Sequence, residues 1–321
     1  MTDARKDIHD PEIEGFFHCY TRCVRRAYLC GVDSYTGKSF EHRKHWIRSR
    51  LAELVQIFAI ECLSYATMDN HLHSLLHTLP KISLAWSDSE VAKRWRVLFP
   101  RRRKSDGTPE EPNAAEIEEI TSHPELLHRY RLRLSDISWF NRCLNEQIAC
   151  RANAEDECTG RFWEGRFKSQ RLETEAAVVS CAVYIDLNRI RAGCAPTPEA
   201  SEFTSIQDRI RAVMANRRPQ APQLATFQEA LGPTAISVEE YIKLVDESAR
   251  LLKDDKHSMD PTLAPIFERL GIRAEAWPKS VREHRGLFRR VVAPLARLRS
   301  YAAERGKAWF QGAKAAKLLF I

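Results

Sequence analysis

The stretch MDNHLHSLLHTLP, Met68 to Pro80, constrains the fold of this 321-residue chain more than any other. It sets three histidines into an otherwise apolar segment, at positions where a strand would carry Val or Ile. Side chains alternate along a strand, so His71 and His73 point to one face and Leu72 to the other, with the two imidazoles about 7 Å apart at the backbone. That separation lets both rings reach one divalent ion. It suits equally a pair of half-exposed, hydrogen-bonded histidines. His77 shares their face by parity but lies further along the strand.

The flanking sequence supplies partners for such a strand. GFFHCYTRCVRRAYLC, Gly15 to Cys30, is rich in aromatic and β-branched residues, and its first half reads as a strand. SFEHRKHWIRSRLAELVQIFAIECL follows with Trp46, Leu51, Leu54, Ile57 and Phe58 in helical spacing, so strand, helix and strand succeed one another. Residues 81 to 155 read as an insertion. Their charged RRRKSDGTPEEPNAAEIEE breaks any periodicity, and helical pattern returns only in SDISWFNRCLNEQIACRANAE. GRFWEGRFKSQRLE then reads as a third strand or hairpin.

TEAAVVSCAVYIDLNRIRAG is a helix, with Thr174 to cap its start, Glu175 in its first turn, Arg189 and Arg191 near its end and Gly193 to stop it. Tyr184 and Asn188 are four residues apart and share one face of it. They can stand beside the two-histidine strand, or Tyr184 can be an ordinary core tyrosine. The composition turns to Pro, Ala, Ser and Gln from residue 194. The expected division is therefore a catalytic unit over 1–200, a linker over 201–224 and a helical domain over 225–321. In that last part Ser237 and Glu240 form a capping box, and Asp260 with Pro261 starts a helix that Gly271 ends.

Charge and composition narrow the function. Hydrophobic residues make up 44% of the chain, as in a globular protein. No apolar run approaches the roughly 18 residues needed to cross a bilayer, and the amino terminus is polar, so no signal peptide or membrane anchor is expected. The nine cysteines are scattered and form no doubled CxxC pattern, which fits small buried hydrophobes in a reducing cytoplasm better than disulfides or a zinc ribbon. The net charge of +7 suits a polyanionic partner. That excess belongs to the carboxy-terminal end, where Lys279 to Ile321 carries eleven Lys or Arg against Glu283 and Glu304. Such a run is a solvated helix face or a nucleic-acid contact.

MDNHLHSLL, GRFWEGRFKSQ and YIDLNRIRAG, in this order, resemble the REP-associated tyrosine transposases, a branch of the single-tyrosine transposases in the HUH endonuclease superfamily. The likeness covers roughly residues 14 to 195, less the insertion. It implies an α+β fold, an antiparallel sheet with helices on one face and a ferredoxin-like core, followed by an all-helical carboxy-terminal region. It also implies Tyr184 as nucleophile, His71 and His73 as metal ligands with Asn188 as the third, and Mg²⁺ or Mn²⁺ as the ion. The family pattern after the tyrosine is closer to NPVRAG, whereas NRIRAG stands here; Arg189 in place of proline lets the helix continue.

The implied partner is single-stranded or hairpin DNA of the repetitive extragenic palindromic kind, handled by a monomer or homodimer. A free tyrosine has a pKa near 10, so about one in a thousand is ionised at neutral pH and the scissile phosphate must be polarised. By resemblance, attack gives a 5′-phosphotyrosine and a free 3′-OH, and a second 3′-OH reverses the step without ATP. Arg161, Arg166, Lys168 and Arg171 can meet phosphates, while Trp163 or Phe162 stacks on bases or belongs to the core. Arg22 is a further contact, and the basic tail with Arg289 and Arg290 is an accessory DNA-binding module. Two other readings share these residues: a DNA-binding regulator without strand transfer, and a metal-dependent nuclease that uses water.

Overall fold

The computed structural model describes residues 9–24, 29–33, 35–215, 223–253 and 261–321. In chain order its elements are β1 (Gly15–Arg22), α1 (Arg43–Ile57), β2 (Ile60–Thr67), β3 (His71–Thr78), α2 (Pro80–Ala85), α3 (Asp88–Leu98), α4 (Ala114–Thr121), α5 (Pro124–Arg133) and α6 (Ile137–Glu155). There follow β4 (Lys168–Leu172), α7 (Glu175–Asp186), α8 (Asn188–Arg191), α9 (Ser205–Met214), α10 (Phe227–Leu231), α11 (Val238–Lys253), α12 (Ala264–Leu270), α13 (Trp277–Leu287), β5 (Val291–Val292), α14 (Leu295–Glu304) and α15 (Ala313–Leu319).

The class is α+β, but the sheet differs from the expected antiparallel one. Its order is β2-β3-β1-β4-β5, and the short β5 runs parallel to β4. Helices cover both faces rather than one, because both faces are apolar. Phe17, Cys19, Tyr65 and Leu76 pack toward α1 and α6. Leu75, Ala66 and Leu172 point the other way, toward α7, α11 and α13. The register pairs Tyr20 with His73 and Arg22 with His71 across β1 and β3, which places all four on the α7 side.

Four local expectations hold in detail. Thr174 caps α7 by accepting from the Ala177 amide at 3.2 Å, and Ser237 and Glu240 form the capping box that opens α11, with bonds of 2.9 and 3.1 Å. Gly193 and Gly271 adopt positive φ, 70° and 61°, at the two predicted stops. The long helix is interrupted at Leu187, where ψ of 1° separates α7 from α8. Asp260 lies outside the described residues.

Three expectations are corrected. The segment assigned to the end of the first helix is partly β2, whose residues are buried almost throughout and so show no polar alternation. The stretch 201–224 is not simply a linker. It contains α9, where Arg209 donates to the carbonyls of Leu63 at 2.6 Å and Ala225 at 3.0 Å from a fully buried position. The carboxy-terminal region is not all helical, since it supplies β5, and it shares one core with α7. A buried carboxylate fastens that union: Asp186 on α7 accepts from Ser205, from the Ile206 amide at 3.0 Å and from the Tyr241 hydroxyl at 2.6 Å. Burial pushes its carboxyl up to about 6.

Candidate active site

The α7 side of the sheet gathers an unusual number of imidazoles around Tyr184. The Tyr184 ring lies 6.0 Å from that of His18 and 5.9 Å from that of His73, both edge-on, and 5.3 Å from that of His284, which stacks on it. His71 and His73 approach each other to 4.9 Å between centroids. The predicted strand, parity and helix therefore bring His71, His73 and Tyr184 together. His77 points to the same side of the sheet but sits at the far end of β3. There it stacks on Phe16 at 4.1 Å and contacts Glu14 and Glu61 at 3.0 Å each.

Each histidine of the pair has one nitrogen engaged. His71 Nδ1 bonds Asn70 Oδ1 at 2.5 Å, and His73 Nδ1 bonds His18 Nε2 at 2.8 Å. His73 Nε2 is buried with no hydrogen-bond partner among the described residues. Burial, the largest cause in each case, lowers His18 and His71 to about 4 and His73 well below the ordinary histidine value, with Arg285 and Arg191 adding to it. The rings are neutral near pH 7, the state in which imidazole can be a ligand.

Asn188 sits one turn after Tyr184, as its spacing predicts, but its amide is already in use. Its Nδ2 donates to the carbonyls of Tyr184 and Ile185 at 3.2 Å, and its Oδ1 accepts from Arg191. Among the described residues no group of three or more His, Cys, Asp or Glu side chains is placed to hold a metal ion, so a divalent ion here would have the two imidazoles as its side-chain donors. Asn188 Oδ1, with one of its two lone pairs taken by Arg191, could offer a third contact only beside that guanidinium.

Arg191 organises this side of the site. Its guanidinium lies 4.0 Å over the Tyr184 ring and donates to the carbonyls of Val281 and Arg282 at 3.1 Å, so α8 and α13 are tied together across the tyrosine. Tyr184 is only 6% exposed beneath them.

Beside His71 opens a cleft of about 290 Å³, lined by Tyr20, Arg22, His71, Arg166, Lys168 and Arg285 among others. Four cations face it against one carboxylate, Glu164, which pairs with Arg22 at 3.5 Å. Arg285 lies 4.6 Å over the ring of Tyr20. The geometry offers an anion a positively charged seat next to the histidines.

The other DNA-contact expectations divide. Arg161 and Arg289 are exposed and Arg290 half-buried. Arg171 does not face solvent: on β4 it points to the α1 side, paired with Glu173 and donating to the Glu14 carbonyl at 3.2 Å. A Cβ at position 15 would lie 2.5 Å from its Nη1, so a side chain there would displace the guanidinium. Trp163 is half-buried and donates through Nε1 to the Asn145 carbonyl at 2.8 Å, and Phe162 is in the core. The two rings meet edge to face at 4.9 Å beside the end of β1.

His18, Gln170, Arg191, His284 and Arg285 complete the site and were not singled out from the sequence. His18 and Gln170 reach it through strand register, His284 and Arg285 through the docking of α13 about a hundred residues after Tyr184. Neither relationship is written in local spacing.

No protein-family model matches the chain, and no curated protein does. Among solved structures the chain is similar to a REP-associated tyrosine transposase bound to a REP hairpin. The TM-score is 0.39 at 12% identity, covering 70% of this chain and 92% of that one. Among the described residues no helix is long and apolar enough to cross a membrane.

Proposed function

We propose that this protein cleaves and rejoins single-stranded or hairpin DNA, with Tyr184 as nucleophile. The observation that carries the reading is the placement of Tyr184 within 6.0 Å, ring to ring, of His18 and His73, on the sheet face where His71 borders a cleft lined by Arg22, Arg166, Lys168 and Arg285. The three motifs noted in the sequence support it, since they contribute His71 and His73, one wall of the cleft and Tyr184.

In this reading the cations of the cleft hold the DNA backbone and turn one phosphate toward the tyrosine. The Tyr184 oxygen attacks phosphorus, the bond to the 3′ oxygen breaks, and the phenolic proton leaves as the released 3′ oxygen gains one. A 3′-OH arriving in the same cleft reverses the step. His71 and His73 would hold Mg²⁺ or Mn²⁺ through their Nε2 atoms, and such an ion would supply charge stabilisation to the phosphate.

A second reading, a DNA-binding regulator that does no strand transfer, is favoured by one observation: Tyr184 is 6% exposed beneath α13. Incubating the protein with labelled single-stranded hairpins and Mn²⁺, beside Tyr184→Phe, separates the two. A protein-sized labelled band on a denaturing gel, lost in Tyr184→Phe, supports strand transfer. Binding without cleavage supports the regulator, and cleavage that survives in Tyr184→Phe points to metal-bound water.

A further inference from the structure

A chain of hydrogen bonds crosses the sheet behind His73. Gln170 on β4 donates through Nε2 to the Phe288 carbonyl, just beyond α13. A carbonyl can only accept, so the amide is oriented and its Oε1 faces His18 Nδ1 at 2.9 Å. That oxygen also only accepts, which puts a proton on His18 Nδ1. In the neutral ring the proton on Nδ1 leaves Nε2 as a lone pair. The 2.8 Å contact between His18 Nε2 and His73 Nδ1 then requires His73 to donate. His73 therefore carries its proton on Nδ1, and its Nε2 is a bare lone pair. This agrees with the setting of that atom, which is buried with no partner, a place where an N–H would be left unsatisfied.

We propose that Gln170 and His18 are positioning residues that fix the tautomer of His73, so that its Nε2 is held open for a ligand. His71 reaches the same state by a shorter route, donating from Nδ1 to Asn70 Oδ1 at 2.5 Å. Both imidazoles of the pair thus present Nε2. The relay runs through Phe288, so the segment after α13 takes part in setting the ligand state of β3, an interior strand of the sheet. That the ligand is a divalent ion rests on the reading given under Proposed function; the tautomer does not.

The test uses the full chain labelled with ¹⁵N-histidine at pH about 7.5, without metal. Long-range proton–nitrogen correlation distinguishes the two neutral tautomers, and His73→Gln identifies the His73 signals by their loss. The expected result is His73 protonated at Nδ1 in the wild type. In Gln170→Leu, which removes the acceptor for His18, its signals should shift toward a tautomer mixture, and Mn²⁺ affinity should fall about 10- to 100-fold, as when an outer partner of a ligand is lost. Wild-type His73 protonated at Nε2 overturns the proposal, and so does an unchanged tautomer in a folded Gln170→Leu. The wild-type measurement needs no substitution at Gln170, so the proposal stays testable where that variant does not fold. The expected tautomer without Mn²⁺ binding supports the relay and overturns the metal-dependent reading instead.

Discussion

The imidazole of His284 stacks on the ring of Tyr184, with centroids 5.3 Å apart and 29° between the planes. The candidate nucleophile is therefore covered by a helix that the sequence places in a different part of the protein. His284 is itself fully buried, neither ring nitrogen has a partner among the described residues, and burial lowers it to about 3.

Truncating that ring should uncover the tyrosine. His284→Ala is expected to cost about 1 to 3 kcal/mol of stability through the cavity it leaves, and to raise the nitration of Tyr184 by tetranitromethane, read by peptide mass spectrometry. Equal nitration in variant and wild type would show that α13 does not restrict access.

Arg285 and Arg171 make a contrasting pair. Arg285 is exposed in the cleft beside His71, so Arg285→Ala should weaken single-stranded DNA binding and reduce the salt slope by about 0.7, one phosphate's worth. Arg171 is buried against Glu173, which Arg297 also holds at 2.6 Å, so Arg171→Ala should cost about 1.5 to 3 kcal/mol of stability, the worth of a hydrogen bond to a charged group. Fluorescence anisotropy over a salt series and urea unfolding separate the two effects. The reverse pattern would mean that the two arginines have exchanged roles.

Asp186 gives a signed pH dependence. Its carboxyl is raised from an ordinary value of 3.8 to about 6 by burial. Between these values the folded protein keeps a proton that the unfolded chain has released, so this group's contribution to stability is fully present below the lower value and declines as pH rises through the window. Wild type compared with Asp186→Asn should show a stability difference that moves against the wild type from pH 4 to 6 and is level above pH 7. A difference moving in the wild type's favour over that range would contradict the burial account.

The hydrogen bonds around Asp186 add a further expectation. Tyr241→Phe removes a 2.6 Å bond to Asp186 at the junction of α7 and α11, and should destabilise by about 1.5 to 3 kcal/mol, typical of a bond to a charged group. Guanidinium unfolding measures it, and a loss below about 0.5 kcal/mol would show that Ser205 and the Ile206 amide suffice.

The core of the site was legible because it rests on local periodicity. Period two puts His71 and His73 on one face, and the capped helix from Thr174 to Gly193 carries Tyr184 and Asn188 one turn apart. What escaped depends on long-range pairing. β2 carries too little polar alternation to be told from the end of a helix, as expected of a strand buried on both faces. His18 and Gln170 join the site only through the register of β1 with β3 and β4. The basic carboxy-terminal run could be counted but not placed, and its docking against α7 brings in His284 and Arg285. Arg171 misled because a cation among aromatics looks the same in sequence whether it meets a phosphate or a buried glutamate.

The central claim is that Tyr184 forms a bond to DNA. The most direct measurement is mass spectrometry of tryptic peptides after incubation with a single-stranded hairpin and Mn²⁺. The account predicts a nucleotide adduct on the peptide that contains Tyr184, absent without Mn²⁺ and absent in Tyr184→Phe. Cleaved DNA with every tyrosine peptide unmodified would contradict it.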